Sequence, residues 1–170
     1  IPYCILRRFQ KAGHKVLVLM GGATACIGDP SGKSELRKML TKDEIKHNIE
    51  KIKNTLSVFL DFEGENPAVI VNNADWFDHI NYIEFMREIG IHFNVNKMLS
   101  SEIYKNRIEN GGLSFFEMGY QLMQAYDFVH LNREYGCTLQ YGGADQWGNI
   151  AAGTELQRKL NFVNGTDINL

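Results

Sequence analysis

Three polar side chains follow one another at helical spacing in the second half of the chain: the phenol of Tyr120, the amide of Gln124 and the carboxylate of Asp127. If this segment is a helix, their i, i+4 and i+7 positions place all three along one stripe. Most of the neighbouring residues are apolar. The pattern fits a helix that lines a small polar pocket, and it fits equally an ordinary amphipathic helix with a solvated face.

A glycine-rich segment, Gly21 to Ser34, follows an apolar run. Open α/β sheets bind their ligands at the carboxyl ends of strands, so this loop is a candidate ligand site. The spacing disfavours a P-loop, because G-x-x-x-x-G-K-[ST] requires a glycine where Ile27 stands. Asp29 is suited to pair with a cation such as an ammonium group. Lys33, near the same loop, is either a phosphate contact or surface charge.

A second glycine turn, Gly142 to Asn149, leads into a helix predicted from Trp147. The N-terminus of a helix can face an anion, and a carboxylate just beyond a strand can bind ribose hydroxyls. Asp145 stands at that point. A plain N-cap is the alternative role, and the turn alone does not decide between the two.

Composition limits the function classes. The 170 residues suffice for one buried core, and a formal net charge of -2 gives no general attraction to nucleic acid. The three separated cysteines favour a reducing, cytoplasmic compartment. The histidines and cysteines lack zinc-ligand spacing, so we expect no metal site in the protein. No apolar run approaches the length of a membrane span, which predicts no membrane partner.

The predicted elements place the two glycine turns in an α/β fold. Apolar runs predict buried strands at 15–20 and 68–72, with a long helix between them that begins at the capping box Thr41-Lys-Asp-Glu44. Ser114-Phe-Phe-Glu117 predicts the start of the helix that carries Tyr120. Two strands joined in this way form a βαβ unit. A third strand is predicted at 137–141. Residues 76–112 carry shorter helical patterns, which indicate a helical insertion.

Three segments together carry a family resemblance. They are Gly21-Gly-Ala-Thr with Gly28-Asp-Pro-Ser-Gly-Lys33, Tyr120-x-x-x-Gln-Ala-Tyr-Asp127, and Gln140-Tyr-Gly-Gly-Ala-Asp-Gln-Trp-Gly-Asn149. In this order they closely resemble the bacterial-type tyrosyl-tRNA synthetases, which are class I aminoacyl-tRNA synthetases. The resemblance covers essentially all 170 residues. It implies a partial catalytic domain with a Rossmann-like parallel sheet, helices on both faces, and 76–112 as its helical connective insertion.

The resemblance also implies an enzyme and its substrates. Such an enzyme joins L-tyrosine to ATP, with Mg²⁺ accompanying the ATP, and transfers the tyrosyl group to tRNA(Tyr). The tRNA would be bound mainly by parts outside this chain. A homodimer is implied, with about 76–116 as the contact. The implied site residues are Asp29, Tyr120, Gln124, Asp127 and Gln140 for tyrosine, Gly143, Asp145 and Gln146 for ATP, and Gln146 and Lys33 for catalysis.

The chain departs from the family pattern in one major respect. Neither class signature, the H-I-G-H element or the K-M-S-K-S-type loop, occurs in the 170 residues, and both are expected to stabilise charge on the phosphates. We therefore expect the chain alone to bind the substrates but to catalyse their reaction poorly. Two alternatives stay open: a tryptophan-activating relative, against which Asp127 argues, and a non-catalytic nucleotide- or RNA-binding module.

Overall fold

The structure is a computed structural model that describes residues 2–29 and 40–163. The described parts of 1–26 and 39–78 form one compact unit, and those of 27–38 and 79–170 form a second. In chain order the elements are α1 (Pro2–Lys11), β1 (Leu17–Met20), α2 (Thr24–Ile27), α3 (Lys42–Leu56), β2 (Val69–Asn72), α4 (Ala74–Phe77), α5 (Tyr82–Glu88), α6 (Val95–Leu99), α7 (Glu102–Glu109), α8 (Phe115–Tyr135) and α9 (Trp147–Val163). Single 3-10 turns precede α6, at Gly90–His92, and α9, at Ala144–Gln146.

The first unit is built on a parallel pair of strands. β1 pairs with β2 in a register that runs from Leu17 opposite Val69 to Met20 opposite Asn72. The helix α3 lies between them in sequence, so these elements form the expected βαβ unit and the α/β fold class is confirmed. Side chains of the strands, of α3 and of the flanking turns make the core of this unit: Val16, Val18, Met20, Leu56, Leu60 and Ala68.

Local signals fix the ends of the longer helices. Thr41 and Glu44 form a reciprocal capping box at the start of α3, and Ser114 and Glu117 form a second one at the start of α8. α8 ends at Gly136, whose φ of 64° lies in the left-handed region that favours glycine. Both helix starts were predicted from sequence and are confirmed.

Two long helices, α8 and α9, organise the second unit. Their contact is close because Gly153 of α9 has no side chain: a Cβ added there would lie 2.5–2.7 Å from ring atoms of the buried Phe128. Buried side chains from both helices and from the end of α5 form the core here: Ile89, Ala125, Val129 and Leu156. The packing of α8 on α9 therefore sets where polar groups on the two helices meet.

One predicted element is absent. Residues 137–141 were expected to form a strand, but in the described part of the chain they pair with no other strand. A strand requires a neighbour for its backbone hydrogen bonds, and the two strands described here pair with each other. The apolar alternation of this segment was therefore misleading, and Leu139 and Tyr141 are exposed.

Candidate active site

Helix α8 brings the polar stripe into the interior of the second unit. Asp127 is 2% exposed, and both Tyr120 and Gln124 are half-buried. The stripe is therefore not the solvated face of an amphipathic helix, which was the alternative that its spacing left open. A carboxylate removed from water in this way requires polar partners or a ligand that supplies them.

A chain of hydrogen bonds joins three of the predicted site residues. The amide of Gln124 donates from Nε2 to Oε1 of Gln146 at 3.2 Å. Gln146 in turn donates from Nε2 to Oδ2 of Asp29 at 2.8 Å. Asp29 stands 117 residues earlier in the sequence. The chain brings together residues that the sequence placed in three separate motifs.

Two further groups bond to the same amide of Gln146. Nε2 of Gln146 also donates to Oδ2 of Asp145 at 3.1 Å. Nδ2 of Asn149 donates to Oε1 of Gln146 at 3.2 Å. Asp145 is exposed, whereas Asn149 is 4% exposed. Gln146 is therefore the centre of a polar cluster that one solvent-facing and one buried side chain complete.

Gln124 has an acceptor with no partner. Its Oε1 atom is buried and lies within hydrogen-bond reach of no donor in the described residues. Leaving a buried acceptor unpaired costs about 1–3 kcal/mol, so such an atom is commonly paired by a ligand or by water. Together with the carboxylate of Asp29, to which Gln124 is linked through Gln146, an unpaired amide oxygen favours a ligand that carries several N–H donors.

The turn before α9 holds the remaining nucleotide candidates. The backbone N–H of Gln146 donates to the carbonyl oxygen of Gly143 at 2.9 Å, which closes the 3-10 turn. A Cβ built on Gly143 would meet Oδ1 of the exposed Asp145 side chain, which would have to move aside. This arrangement holds the Asp145 carboxylate at the surface, next to an extended glycine backbone that a ligand can approach.

For Gln140 and Lys33 the structure adds no support to the predicted roles. Gln140 is half-buried, and no hydrogen bond in the described part of the chain joins it to Asp29, Gln124 or Gln146. Lys33 lies outside the described residues, as does the phosphate contact considered for it. Their proposed roles therefore depend on sequence alone.

A buried phenol adjoins the cluster and was not predicted. Tyr104 of α7 is 2% exposed. Burial, and then the negative charges of Asp29 and Glu117, raise the pKa of Tyr104 above its ordinary value of 10.0. Its hydroxyl therefore stays protonated at neutral pH. No local sequence signal marks this residue, because its proximity to Asp29 follows from the packing of the unit.

In the first unit, two asparagines at the end of β2 hold the glycine loop. Oδ1 of Asn72 accepts from the backbone N–H of Gly22 at 3.0 Å, and Oδ1 of Asn73 accepts from that of Ala23 at 2.8 Å. Asn73, which is 0% exposed, also donates from Nδ2 to Oγ1 of Thr24 at 3.0 Å. The sequence analysis gave these residues no role, although a polar pair directly after a buried strand was a usable signal.

A separate cavity lies away from the cluster. It has a volume of about 260 Å³ and is lined by residues of α6, α8 and α9, including Met98, Gln121 and Leu156. None of the predicted site residues that the structure describes lines it. In the part of the chain that the structure describes, no group of three histidine, cysteine or carboxylate side chains could hold a metal ion. No helix there is long and apolar enough to cross a membrane.

The fold and the cluster agree with one class of protein. Residues 1–164 match the family described as tRNA synthetases class I (W and Y), and the chain belongs to this family. Its relatives include proteins named tyrosine–tRNA ligase. The one from Clostridium tetani is 55% identical over 159 residues, and the one from Clostridium kluyveri is 56% identical over 155 residues.

The chain covers only part of these relatives. The matches take in 94% and 91% of this chain, but 39% and 38% of the two relatives. Solved structures agree. The C-terminally truncated mitochondrial tyrosyl-tRNA synthetase of Aspergillus nidulans superposes with a TM-score of 0.81 at 29% identity over 99% of this chain and 49% of its own. That of Coccidioides posadasii gives 0.79 at 28% identity over 98% and 47%.

Proposed function

We propose that this chain is the tyrosine- and ATP-binding part of a tyrosine–tRNA ligase, which forms tyrosyl-adenylate and transfers the tyrosyl group to tRNA(Tyr). The observation that carries the proposal is the bonded chain Asp29–Gln146–Gln124, with the buried Oε1 of Gln124 unpaired among the described residues. A carboxylate and an unpaired amide oxygen that belong to one half-buried chain of hydrogen bonds suit the ammonium group of an amino acid.

In this proposal, side chains of α8 contact both the ammonium group and the phenol hydroxyl of the tyrosine substrate. Asp29, Tyr120 and Gln124 hold the ammonium group, and Gln140 supports the pocket. Asp127, at 2% exposure, accepts a hydrogen bond from the phenol hydroxyl. Phenylalanine has no hydroxyl to donate this hydrogen bond, and losing a hydrogen bond to a buried charged group is costly. Enzymes that activate tyrosine are a known example of such discrimination.

The turn before α9 serves the nucleotide. Asp145, exposed beside Gly143, binds the ribose hydroxyls. Gln146 lies near the tyrosine carboxylate or the α-phosphate, and Lys33 contacts phosphate during the reaction. The chemistry requires the carboxylate in line with the α-phosphorus, so these groups act by positioning and by stabilising charge. Mg²⁺ would accompany the phosphates of ATP, as the family resemblance implies.

Tryptophan is the alternative substrate, since the family contains enzymes for both amino acids. The buried carboxylate of Asp127 favours tyrosine, because it suits a hydroxyl donor at the far end of the side chain. The names of the relatives point in the same direction. A non-catalytic nucleotide- or RNA-binding role is less favoured, because it gives the Asp127 carboxylate no purpose.

We also propose a cytoplasmic homodimer that uses about 76–116 as its contact. Large apolar side chains are exposed in this region, with Ile91 at 74% and Phe115 at 70%. Such a concentration is typical of an interaction surface. The other exposed members are Tyr82, Ile83, Val95, Ile108 and Phe116. Sedimentation of the complete protein tests this, and a strictly monomeric protein would exclude it.

Pyrophosphate exchange by the complete protein tests the proposed activity. We expect exchange that depends on tyrosine and is not supported by phenylalanine or tryptophan. Asp127→Asn should lower kcat/KM for tyrosine by roughly tenfold or more, the worth of a hydrogen bond to a charged group. Asp145→Asn is the matched control, and it should raise KM for ATP instead. Exchange driven by tryptophan alone would overturn the proposal.

A further inference from the structure

The side-chain amide of Gln146 uses all of its hydrogen-bonding capacity. Its oxygen accepts from Nδ2 of Asn149 and from Nε2 of Gln124, both at 3.2 Å. Its nitrogen donates to Oδ2 of Asp29 at 2.8 Å and to Oδ2 of Asp145 at 3.1 Å. An amide offers two acceptor positions and two donor protons, and here all four are engaged.

These four partners determine which way the amide faces. Two carboxylates stand at the nitrogen end and two NH₂ groups at the oxygen end. Turning the amide over would set its oxygen against both carboxylates and its NH₂ group against two other donors. The orientation of a glutamine amide is assigned from such a network, and this network admits one orientation.

Substrates would engage three of the four partners. In the proposed function, which this inference rests on, Asp29 and Gln124 bind the ammonium group and Asp145 binds the ribose. During the reaction each of these three side chains would therefore bind a substrate group in competition with Gln146. Asn149 is the remaining partner, and the proposed function gives it no substrate contact.

We propose that Asn149 is a positioning residue for the activation step, because it holds the oxygen of Gln146 and so keeps the NH₂ group directed at the substrate carboxylate and α-phosphate. Its location suits this role. Asn149 lies in the first turn of α9, three residues after Gln146, and it is 4% exposed. A buried side chain on a long helix is a rigid support, and a helix backbone keeps its place when substrates bind.

The first test compares Asn149→Ala and Asn149→Asp with the wild type in tyrosine-dependent pyrophosphate exchange by the complete protein. Loss of the one hydrogen bond should lower kcat by about tenfold while KM for tyrosine changes less than about threefold. Asn149→Asp should lower kcat further, because it sets a carboxylate against Oε1 of Gln146. Thr154→Ala, an exposed change on the same helix, is the control and should match the wild type.

A double-mutant cycle separates positioning from a general structural role. If Asn149 acts through Gln146, then Asn149→Ala should lower kcat by less than about twofold in a Gln146→Ala background. An equal loss in both backgrounds would overturn the proposal, as would a wild-type kcat in Asn149→Ala. Thermal melting of each variant identifies any loss of folding, and the Asn149→Asp variant, which is nearly isosteric, keeps the comparison valid if the alanine variant is unstable.

A readout without turnover distinguishes this inference from the proposed function. NMR of the ligand-free protein with ¹⁵N-labelled glutamine reports the side-chain NH₂ group of Gln146. We expect its signals to shift and its protons to exchange faster in Asn149→Asp. If the wild type fails to activate tyrosine, the proposed function is wrong. Whatever the outcome of that assay, unchanged Gln146 signals in Asn149→Asp would show that the inference about Asn149 is wrong.

Discussion

Arg107 and Glu117 form an ion pair whose side chains are only 3% and 5% exposed, with Nη2 and Oε1 2.8 Å apart. Nε of Arg107 donates to the same oxygen at 2.9 Å, while Oε2 of Glu117 accepts from the backbone and hydroxyl of Ser114. One carboxylate thus caps α8 and fastens α7 to it. Tyr120 stands three residues further along the same helix, so this pair supports the start of the proposed tyrosine site.

Replacing Arg107 by methionine should destabilise the protein by about 3–5 kcal/mol, because it leaves a buried carboxylate without its cation. Chemical denaturation measures the loss. Lys105→Ala in the same helix is the control: it removes the exposed pair with Glu102 and should cost less than about 1 kcal/mol. Similar losses from both substitutions would contradict the importance of burial.

The same pair gives a pH dependence. Burial raises the pKa of Glu117, but the hydrogen bonds from Ser114 and the bond and charge of Arg107 outweigh it, so the pKa lies below its ordinary 4.5. A lowered pKa stabilises the fold above the ordinary value, and this stabilisation disappears as the pH falls through the lowered one. The difference between wild type and Arg107→Met should therefore be largest at neutral pH.

Gly153→Ala should destabilise the protein by about 1–3 kcal/mol, because the new methyl group would meet the ring of Phe128 and force α8 and α9 apart. Gly119→Ala, within α8, is the matched substitution. Among the described residues, a Cβ there meets only Cδ1 of Ile27, at 3.9 Å, so alanine should instead stabilise the helix by up to about 1 kcal/mol. Changes of the same sign in the two melting temperatures would refute the packing argument.

Glu155 links α9 to α6. Its Oε2 atom lies 2.6 Å from Nζ of Lys97, and its Oε1 atom lies 3.0 Å from Nζ of Lys159. The hydrogen bonds from Lys97 and then Lys159 lower the pKa of Glu155 to about 2, although partial burial opposes the shift. The carboxylate therefore stabilises the fold above its ordinary pKa of 4.5, and this contribution fades between that value and about pH 2.

Glu155→Gln should consequently lose stability at neutral pH and resemble the wild type near pH 2. Denaturation at a series of pH values checks this. Glu50→Gln removes the exposed pair with Lys53 and should leave the pH profile nearly unchanged. If the stability of Glu155→Gln varied with pH as that of the wild type does, solvent would screen the ion pairs of Glu155 with Lys97 and Lys159 completely.

Gln10 of α1 secures the turn before β2 in the first unit. Its Nε2 atom donates to the carbonyl oxygens of Asp61 and Asn66 at 2.6 and 3.0 Å, and its Oε1 atom accepts from the backbone N–H of Asp61 at 3.0 Å. Gln10→Met should cost about 1–3 kcal/mol by removing the partner of the Asp61 N–H and of the Asn66 carbonyl, whereas the Asp61 carbonyl keeps its bond from the N–H of Ala68. Faster hydrogen exchange at Asp61 would locate the effect, and unchanged exchange there would contradict it.

The features that depend only on residues close together in the sequence were predicted correctly. The capping boxes at Thr41 and Ser114 involve atoms within three residues of each other, so their patterns were sufficient. The strand predicted at 137–141 was wrong because a strand depends on a partner that no local pattern supplies.

Most residues of the candidate site were selected from the sequence, but the hydrogen bonds between them were not predicted. Resemblance to a family selected Asp29, Gln124 and Gln146, and their roles stay predictions. That Gln146 joins the other two follows from packing across 117 residues. Asn149 and Arg107 escaped notice for the same reason: an asparagine or an arginine in a helix has no distinctive pattern until the structure supplies its partner.

The amide of Gln146 has a consequence for how two ligands influence each other. In the structure its NH₂ group is shared between Asp29 and Asp145. A ligand that binds one of these carboxylates breaks its hydrogen bond with the amide of Gln146. This changes how strongly the amide binds the other carboxylate. By thermodynamic linkage, each ligand must then change the affinity for the other by the same factor, so one side chain couples the two subsites.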